Sequence, residues 1–481
     1  MSAVDTAPRR RALPLLIAVL VVAGVLRGLA VRDGFWLDEA WSWVWLNKLQ
    51  SFTDVFTKSE LKHDNNHPLI TVWMYSVGDR DAWVLYRIPS LFAGIATVVL
   101  FSERRAGASG VWLPAGAAAV SYPLIVYSTE ARGYALAVVF ALLGFRLLQR
   151  FEASGFRMRI AEVVTYGLVC CFGLASHLVF VHFLVAGGLW SAVAALRRLP
   201  FRVAVVRLAV LHGVPLGFAA WFYWTMVRVL RPGGASGPPL SVVMQDLCAW
   251  FTGAPNEAWA AFGGGLVLLG LAAQECWRRA CQGSTVWVFV LAVAVVVPVL
   301  VLAANPVEGI LYPRYFLVGT TFVLLFAASS LVRMLHVPGP LRWGAAVLVL
   351  AFVVGNVVRT VAFLSGGGRG QYRAAVEHIG RRSGASFTVG SDFDFRNRIL
   401  LGYHKRFLQR GQQLAYLRDP QGRPRGDWFL VQSEWYPEDP RPRPRFQQRF
   451  AVPGGPAYEL DGVYPFYGPS GCTWALYRRV R

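Results

Sequence analysis

The chain has 481 residues, of which 55% are hydrophobic and 16% are charged, and its mean hydropathy is +0.43. Soluble domains carry about 25% charged residues, so this composition excludes a wholly soluble protein and indicates a chain that is mostly solvated by lipid. The net charge of +21 comes almost wholly from arginine. Nucleic-acid binding is not expected, because the basic residues lie between apolar segments rather than along one soluble face.

The arginine excess has two explanations, which the sequence leaves open. One is attraction to lipid phosphate groups, and the other is a genomic bias towards arginine. Only four residues are lysines: Lys48, Lys58, Lys62 and Lys405. The basic residues therefore inform the topology more than they inform the function.

Apolar segments of about 20 residues, the length that crosses the hydrocarbon core, follow one another along most of the chain. The first, 12–31, follows Arg9–Arg11 like the first half of a signal peptide. It is long and has no small-residue cleavage site after it, so it is predicted to be an uncleaved helix. The predicted spans, eleven in all, are 12–31, 84–101, 110–127, 131–149, 160–176, 178–196, 207–229, 258–276, 284–304, 314–334 and 342–364.

The orientation of the spans follows from arginine placement. Arginine-rich connections, such as Glu103-Arg104-Arg105 and Arg197-Arg198, all lie on one side, and the opposite connections are acidic or mixed. The positive-inside rule therefore places residues 1–11 in the cytoplasm. Eleven spans then place residues 365–481 outside the plasma (inner) membrane.

The first outward loop, 32–83, is the most informative segment. Asp38 and Glu39 come directly after the first span, between tryptophans of the kind found at bilayer interfaces. A carboxylate in a partly dry interfacial pocket is a suitable general base, because desolvation raises its pKa. The alternative is that Asp38 caps a helix over 39–49, with Glu39 in its first turn.

The same loop carries two histidines and re-enters the membrane at Arg87. His63 and His67 are four residues apart and, together with Asp64, would offer nitrogen and oxygen ligands to a divalent metal. Pro68 follows directly, which argues against one helix that carries both histidines. Metal binding therefore stays open.

Ionisable residues also occur at the outward ends of later spans. Glu130 and Arg132 lie between the third and fourth spans, His177 between the fifth and sixth, and Arg314 at the start of the tenth. Ionisable side chains at membrane depth are functional candidates. We expect them to meet Asp38 at the outer membrane surface, although Glu130 and Arg132 pairing with each other or with the loop is the alternative.

The last segment, 365–481, is predicted to be a separate small α/β domain. Its pattern alternates helix-like and strand-like segments. The arginines in this segment do not contradict an outward location, because the positive-inside rule governs short loops and not long translocated domains. The predicted elements are a helix over 372–382, strands over 386–390, 427–433 and 473–480, and a Pro- and Arg-rich loop over 437–445.

The order of these motifs resembles bacterial GT-C glycosyltransferases, in particular the branch related to protein O-mannosyltransferases and aminoarabinose transferases. The motifs are Trp-Leu-Asp-Glu at 36–39, Asn-His-Pro-Leu at 66–69, Arg-Ile-Pro-Ser at 87–90 and Tyr-Ser-Thr-Glu-Ala-Arg-Gly-Tyr at 127–134. The resemblance is specific over 12–200 and rests on span spacing and Pro313-Arg314-Tyr315 over 200–364. It departs from the family at Leu69, where the family often has a second proline.

The resemblance implies a multi-pass α-helical catalytic domain over 12–364. It implies an inverting transferase that moves a sugar from a polyprenyl-phosphate donor to an acceptor hydroxyl on a glycan, lipid or protein at the outer face. The polyprenyl phosphate leaves as an anion, which needs charge stabilisation rather than a proton. One base with cationic partners therefore suffices.

The resemblance also implies residue roles. Asp38 would deprotonate the acceptor hydroxyl, and Glu39 would support it or orient the substrate. Arg132 would bind the donor phosphate, with Arg314 as a weaker candidate. The other substrate-binding candidates are His67, Arg87, Glu130, Tyr134 and His177.

Two alternatives compete with this interpretation. A transporter or glycolipid flippase would place charges near the bilayer midplane and show repeated halves with broken helices. Here the polar residues gather at the outer ends of spans and no internal repeat is visible. A degenerate relative that only binds, without catalysis, is the other alternative, and the intact acidic pair argues against it.

Overall fold

The structure, a computed structural model, describes residues 7–32, 34–58, 61–63, 65–102, 107–230, 239–304, 311–419, 421–435, 445–453 and 455–480. It divides into two compact units, which we call the helical unit and the sheet unit. The helical unit comprises Met1–Leu29, Thr53–Trp73 and Tyr86–Arg359. The sheet unit comprises Ala30–Phe52, Met74–Leu85 and Thr360–Arg481.

Helices dominate the described chain. In chain order they are α1 (Ala7–Ala30), α2 (Leu37–Leu46), α3 (Asp54–Thr57), α4 (Pro68–Val77), α5 (Val84–Phe101), α6 (Gly107–Val120), α7 (Tyr122–Tyr127), α8 (Tyr134–Ala153), α9 (Ile160–Ser176), α10 (Val181–Arg198), α11 (Phe201–Thr225), α12 (Leu240–Thr252), α13 (Ala258–Cys281), α14 (Val286–Leu291), α15 (Val297–Ala304), α16 (Leu317–His336), α17 (Pro340–Ser365), α18 (Tyr372–Arg381) and α19 (Asp394–His404). The strands are β1 (Ser386–Ser391), β2 (Gln413–Tyr416), β3 (Trp428–Ser433), β4 (Arg449–Ala451), β5 (Ala457–Tyr464) and β6 (Thr473–Arg479).

Nine helical segments of the described chain are long and apolar enough to cross a membrane, so the protein is a multi-pass membrane protein. They correspond to nine of the eleven predicted spans. The other two are shorter in the structure: 160–176 is α9, with 17 residues, and 110–127 is divided between α6 and α7. The total of eleven spans stays a prediction, and the arginines at 104 and 105 lie outside the described residues.

Burial separates central from peripheral helices in the helical unit. In an 18-residue apolar stretch of the span that contains α16, 83% of the residues are buried, whereas the share is 17% in the corresponding stretches of α1 and α11. α11 exposes large apolar side chains such as Val214 and Leu216. A soluble helix bundle would not expose such an apolar surface to water, so these faces are suited to contact with lipid.

An aromatic core lies around α16. The Phe289 ring is 4.7 Å from that of Phe322 and 4.9 Å from that of Phe145. Trp190 packs on the same group, and its Nε1 donates to Thr285 Oγ1 at 3.1 Å. The polar edge of this tryptophan is therefore satisfied inside the bundle.

The predicted span 110–127 is broken at Ser121, between α6 and α7. Side chains of other helices satisfy the backbone groups that the break leaves open. Arg27 of α1 donates to the carbonyl oxygen of Ala119 at 3.2 Å. The Asn356 Oδ1 of α17 accepts from the backbone N–H of Tyr122 at 2.8 Å. The hydrocarbon core contains no water that could form these hydrogen bonds, so the break depends on these two side chains.

The same arginine reaches the loop after α7. Arg27 Nε donates to Ser128 Oγ at 3.0 Å. A Cβ at Gly94 of α5 would lie 2.7 Å from Ser128 Oγ and 2.8 Å from Arg27 Nε, so this position needs glycine. Arg27 and Gly94 together fix where the segment 127–134 begins.

The sheet unit contains one six-stranded sheet with the order β2-β1-β3-β6-β5-β4. β1 pairs parallel with β2 and β3, and the remaining neighbours are antiparallel. The central strands β3 and β6 bury aromatic side chains such as Trp428 and Trp474, as expected for strands covered on both faces. α18 and α19 pack against each other beside the sheet.

Most predicted elements of 365–481 are confirmed. The helix over 372–382 is α18, and the three predicted strands are β1, β3 and β6. α19, β2, β4 and β5 were not predicted. The predicted loop over 437–445 lies outside the described residues except for Arg445. The sheet unit also includes α2 from the first loop, which packs against α19.

We predict that Arg27→Met destabilises the protein. The methionine fits an apolar helix but leaves the last carbonyl oxygens of α6 without their donor, which costs about 1–3 kcal/mol of unfolding free energy. Thermal unfolding in detergent measures the effect as a lower Tm. Arg228→Met is the control, because Arg228 is exposed and stacks on Trp224. Equal Tm values for the two variants would contradict the role of Arg27.

Candidate functional site

The segment from Tyr127 to Tyr134 is buried along its whole length between α7 and α8. Local hydrogen bonds hold its path. Thr129 Oγ1 donates to the carbonyl oxygen of Val126 at 2.9 Å, and Ser90 Oγ of α5 donates to that of Arg132 at 3.0 Å. The segment is therefore rigid enough to position charged side chains.

Arg132 connects this segment to the first loop. Its guanidinium donates a hydrogen bond to Asn65 Oδ1, and its Cζ lies 5.8 Å from the Tyr134 ring centroid. Arg132 itself is buried. This contact brings His67, two residues beyond Asn65, to the same part of the helical unit.

His67, His177 and Tyr134 form a ring cluster next to Arg132. The imidazoles of His67 and His177 stack with centroids 4.3 Å apart and planes at 22°. The Tyr134 ring lies 4.0 Å from that of His177. The extended backbone of His177, between α9 and a short 3₁₀ turn, directs its ring into the cluster.

Both imidazoles are uncharged at neutral pH. Burial, reinforced by the positive charge of Arg132, holds the pKa of each well below its usual range. His177 Nδ1 accepts from the backbone N–H of Val179 at 3.1 Å, so the proton of the neutral ring is on Nε2. Among the described residues, neither the Nε2 of His177 nor that of His67 has a hydrogen-bond partner.

Arg314 supplies a second cation to the cluster. It lies in a 3₁₀ turn, Pro313–Phe316, with its Cζ 4.3 Å from the Tyr312 ring centroid. Its charge also lowers the pKa of His67 and His177, which places it within electrostatic reach of both rings. Two guanidinium groups beside neutral rings form a site suited to an anion.

The remaining predicted residues of the helical unit are buried. Glu130 and Arg87 are 1% and 2% exposed. Arg87 lies one turn before Ser90, which contacts the backbone of Arg132. Their roles in substrate binding stay predictions.

The acidic pair starts α2 in the sheet unit. The helix begins at Leu37 and its N-cap is Trp36, so the alternative in which Asp38 caps a helix over 39–49 is wrong. Glu39 is fully buried, and its Oε2 accepts from the backbone N–H of Trp36 at 3.4 Å. Asp38 is half-buried. Glu39 therefore stabilises the helix start, while the expectation that Asp38 meets Glu130 and Arg132 stays a prediction.

The metal prediction also stays open. Asp64 lies outside the described residues. Among the residues that are described, no three His, Cys, Asp or Glu side chains form a group that could hold a metal ion. His63 Nδ1 accepts from the backbone N–H of Asn65, and α4 begins only at Pro68, so the two histidines do not share a helix.

Sequence reasoning missed Arg27, Asn65 and His182. Arg27 had a visible signal, since a charge within an apolar span is a functional or structural marker. Asn65 had none beyond its place in the loop motif. His182 is buried near the start of α10, a few residues after His177 of the ring cluster.

No protein-family model and no curated protein matches the chain. The class is therefore defined by the fold and the site alone. The chain is a multi-pass membrane protein whose helical unit contains arginines beside a buried cluster of neutral rings. The family stays a proposal.

We predict that His67→Gln makes folding less sensitive to acid. The wild-type histidine has a lowered pKa in the folded protein. At a pH below its unfolded pKa of about 6.5, the unfolded chain therefore binds a proton that the folded chain does not bind. The free energy of unfolding then decreases as the pH is lowered, by up to about 1.4 kcal/mol per pH unit. The Tm measured from pH 7.5 to pH 5 should fall less in His67→Gln than in the wild type. His63→Gln, at a half-buried position of the same loop, is the control, and identical slopes for His67→Gln and wild type would refute the burial argument.

We also predict that Gly133→Ala is strongly destabilising. A Cβ at Gly133 would overlap the backbone carbonyl oxygen of Ser176, which cannot move without displacing α9 and His177. Such overpacking costs about 1–3 kcal/mol, measured as a loss of Tm. Gly116→Ala is the control, because no described atom lies within 4 Å of its added Cβ. If both variants have the wild-type Tm, the close approach of the two segments does not exist.

Proposed function

We propose that the chain is a GT-C glycosyltransferase of the plasma membrane that moves a sugar from a polyprenyl-phosphate donor to an acceptor hydroxyl at the outer face. The observation that carries the proposal is the cluster of Arg132, Arg314 and the stacked imidazoles. The order of motifs in the sequence supplies the reaction class.

The cluster suits a phosphate group in particular. Guanidinium groups match phosphate oxygens in charge and geometry, and their interaction strengthens where water is excluded. The Nε2–H of His177 offers a neutral donor beside them. Because the rings are uncharged, they add hydrogen bonds without repelling the arginines.

The reaction needs one base and a stabilised leaving group. The acceptor oxygen attacks the anomeric carbon of the sugar while the bond from that carbon to the phosphate oxygen breaks, with inversion. Polyprenyl phosphate leaves with the electron pair, and the arginines stabilise its negative charge. Asp38 accepts the hydroxyl proton. Glu39 is hydrogen-bonded at the start of α2, so it supports the helix rather than acting as the base.

The topology follows from the same proposal. Eleven spans with a cytoplasmic N-terminus place the acidic pair and residues 365–481 outside, where sugar nucleotides are absent and lipid-linked donors are used. The acceptor is a glycan, a lipid or a protein, and the donor and membrane lipids are the other partners.

A transporter or glycolipid flippase is the second candidate, and two observations favour it. The break between α6 and α7 and the buried Arg27 are features that transporters use. However, Arg27 is three residues from the end of α1. This charged group therefore lies towards the end of its helix rather than the middle, which favours the transferase.

We predict that Asp38→Asn abolishes transfer and leaves donor binding intact. Loss of the base lowers kcat by a factor of about 10² to 10⁴, while the phosphate contacts remain. The assay follows radiolabelled sugar from polyprenyl-phosphate mannose, glucose and aminoarabinose to envelope extract, with labelled polyprenyl phosphate as the binding probe. Asp54→Asn is the control, because Asp54 is in the same loop and pairs with Lys58 at 3.0 Å.

Unchanged transfer by Asp38→Asn would refute the catalytic assignment. Movement of labelled glycolipid across a liposome membrane without sugar transfer would favour the flippase. Mass spectrometry of envelope glycans with and without the protein would then identify the sugar and the acceptor, since a missing sugar defines both.

A further inference from the structure

Within the sheet unit, a buried histidine bonds to the chain just before α2. His404, the last residue of α19, is fully buried, and its Nε2 lies 2.9 Å from the carbonyl oxygen of Phe35. The carbonyl can only accept, so Nε2 carries the proton. Burial lowers the pKa of His404 to about 4, which keeps the ring neutral at physiological pH. This hydrogen bond is fixed two residues before the start of α2.

Aromatic rings surround this bond. Phe35 stacks on Tyr403 with centroids 5.0 Å apart and planes at 22°. Trp43 contacts Tyr403 edge-on at 5.2 Å, and Trp41 contacts Phe395 edge-on at 5.0 Å. The residue just before α2 and the middle of α2 are therefore both packed on α19, so a shift of α19 would carry α2 with it.

Two arginines add polar contacts at the ends of this packing. Arg406 lies 4.2 Å from the Trp43 ring centroid and donates to Asp79 Oδ1 at 2.8 Å. Trp43 Nε1 donates to the same carboxylate at 3.3 Å. At the other end, the Arg369 Cζ lies 4.4 Å from the ring centroid of Trp36, and the backbone N–H of Trp36 donates to Glu39 Oε2.

These contacts connect the C-terminal segment to the acidic pair. We propose that His404 is a positioning residue for Asp38: through the Phe35 carbonyl it fixes the start of α2, and so the direction of the Asp38 carboxylate. The catalytic consequence rests on the proposed function. The mechanical part, that His404 holds α2, stands on the contacts alone.

Proton transfer to a general base tolerates only a small displacement of the base. A general base must stay within hydrogen-bond reach of the proton it removes, and a displacement of about 1 Å costs up to 10²-fold in rate. Asp38 is the second residue of a ten-residue helix, so its position depends on how the helix start is held. His404 donates a side-chain hydrogen bond from α19 to the carbonyl oxygen of Phe35, two residues before that start.

The test compares three variants of the full-length protein in detergent. His404→Phe keeps a ring between Tyr403 and Phe407 but removes the donor. His404→Gln restores a donor near the position of Nε2. His378→Phe is the matched control, since His378 also lies in the sheet unit but bonds to Asp461 at 2.7 Å. Hydrogen–deuterium exchange of residues 37–46 reports on α2, and the assay described for Asp38→Asn reports on transfer.

We expect amide exchange in α2 to be about fivefold faster in His404→Phe, because one buried hydrogen bond is lost, and close to wild type in His404→Gln and His378→Phe. We expect kcat to fall about ten- to a hundredfold in His404→Phe with KM near the wild-type value, and to recover in His404→Gln.

Each contrary outcome is specific. Unchanged exchange in His404→Phe would refute the idea that His404 holds α2. Faster exchange with unchanged kcat would refute positioning of the base. If the wild-type protein transfers none of the three sugars, or if Asp38→Asn is fully active, the proposed function fails, while the exchange data still decide whether His404 holds α2.

Discussion

The helical unit depends on how the backbone N–H and C=O groups at the break in a membrane helix form hydrogen bonds without water. Arg27 donates to a carbonyl oxygen in the last turn of α6, and Asn356 accepts from the first N–H of α7. In hydrocarbon an unsatisfied backbone group costs several kcal/mol, so the chain could not turn at Ser121 without these partners. The buried segment with Glu130, Arg132 and Tyr134 follows directly. Arg27 also bonds to Ser128, so one side chain sets both the break and the start of that segment.

The chemistry of the cluster follows from burial. Imidazoles in a buried site beside Arg132 and Arg314 lose their protons, which removes a like-charge conflict and leaves ring nitrogens as neutral hydrogen-bonding groups. The cationic character then resides in the guanidinium groups, which stay charged at any physiological pH. An anion with several oxygens, such as a lipid phosphate, is the ligand that such a site suits.

The acidic pair has a different setting. Its two members are adjacent in the chain but differ in environment: Glu39 is fully buried and hydrogen-bonded at the helix start, whereas Asp38 is half-buried. The helix that carries them is packed on α19, more than 350 residues away in sequence. A division of the chain at residue 365 therefore describes the order of the sequence and not the packing of the sheet unit, which also takes in Ala30–Phe52.

The sequence by itself determined the membrane character, most spans and half the strands of the sheet, because apolar length and alternation are local properties that need no partner. It also singled out His67, Arg132, Tyr134 and His177, since charged or polar residues between apolar spans stand out. The tertiary structure decided the rest. The break at Ser121, the stack of His67 on His177 and the bond from His404 to Phe35 each join residues far apart in the chain. Such contacts depend on how helices pack around one another, and packing leaves no periodic signal in a single sequence.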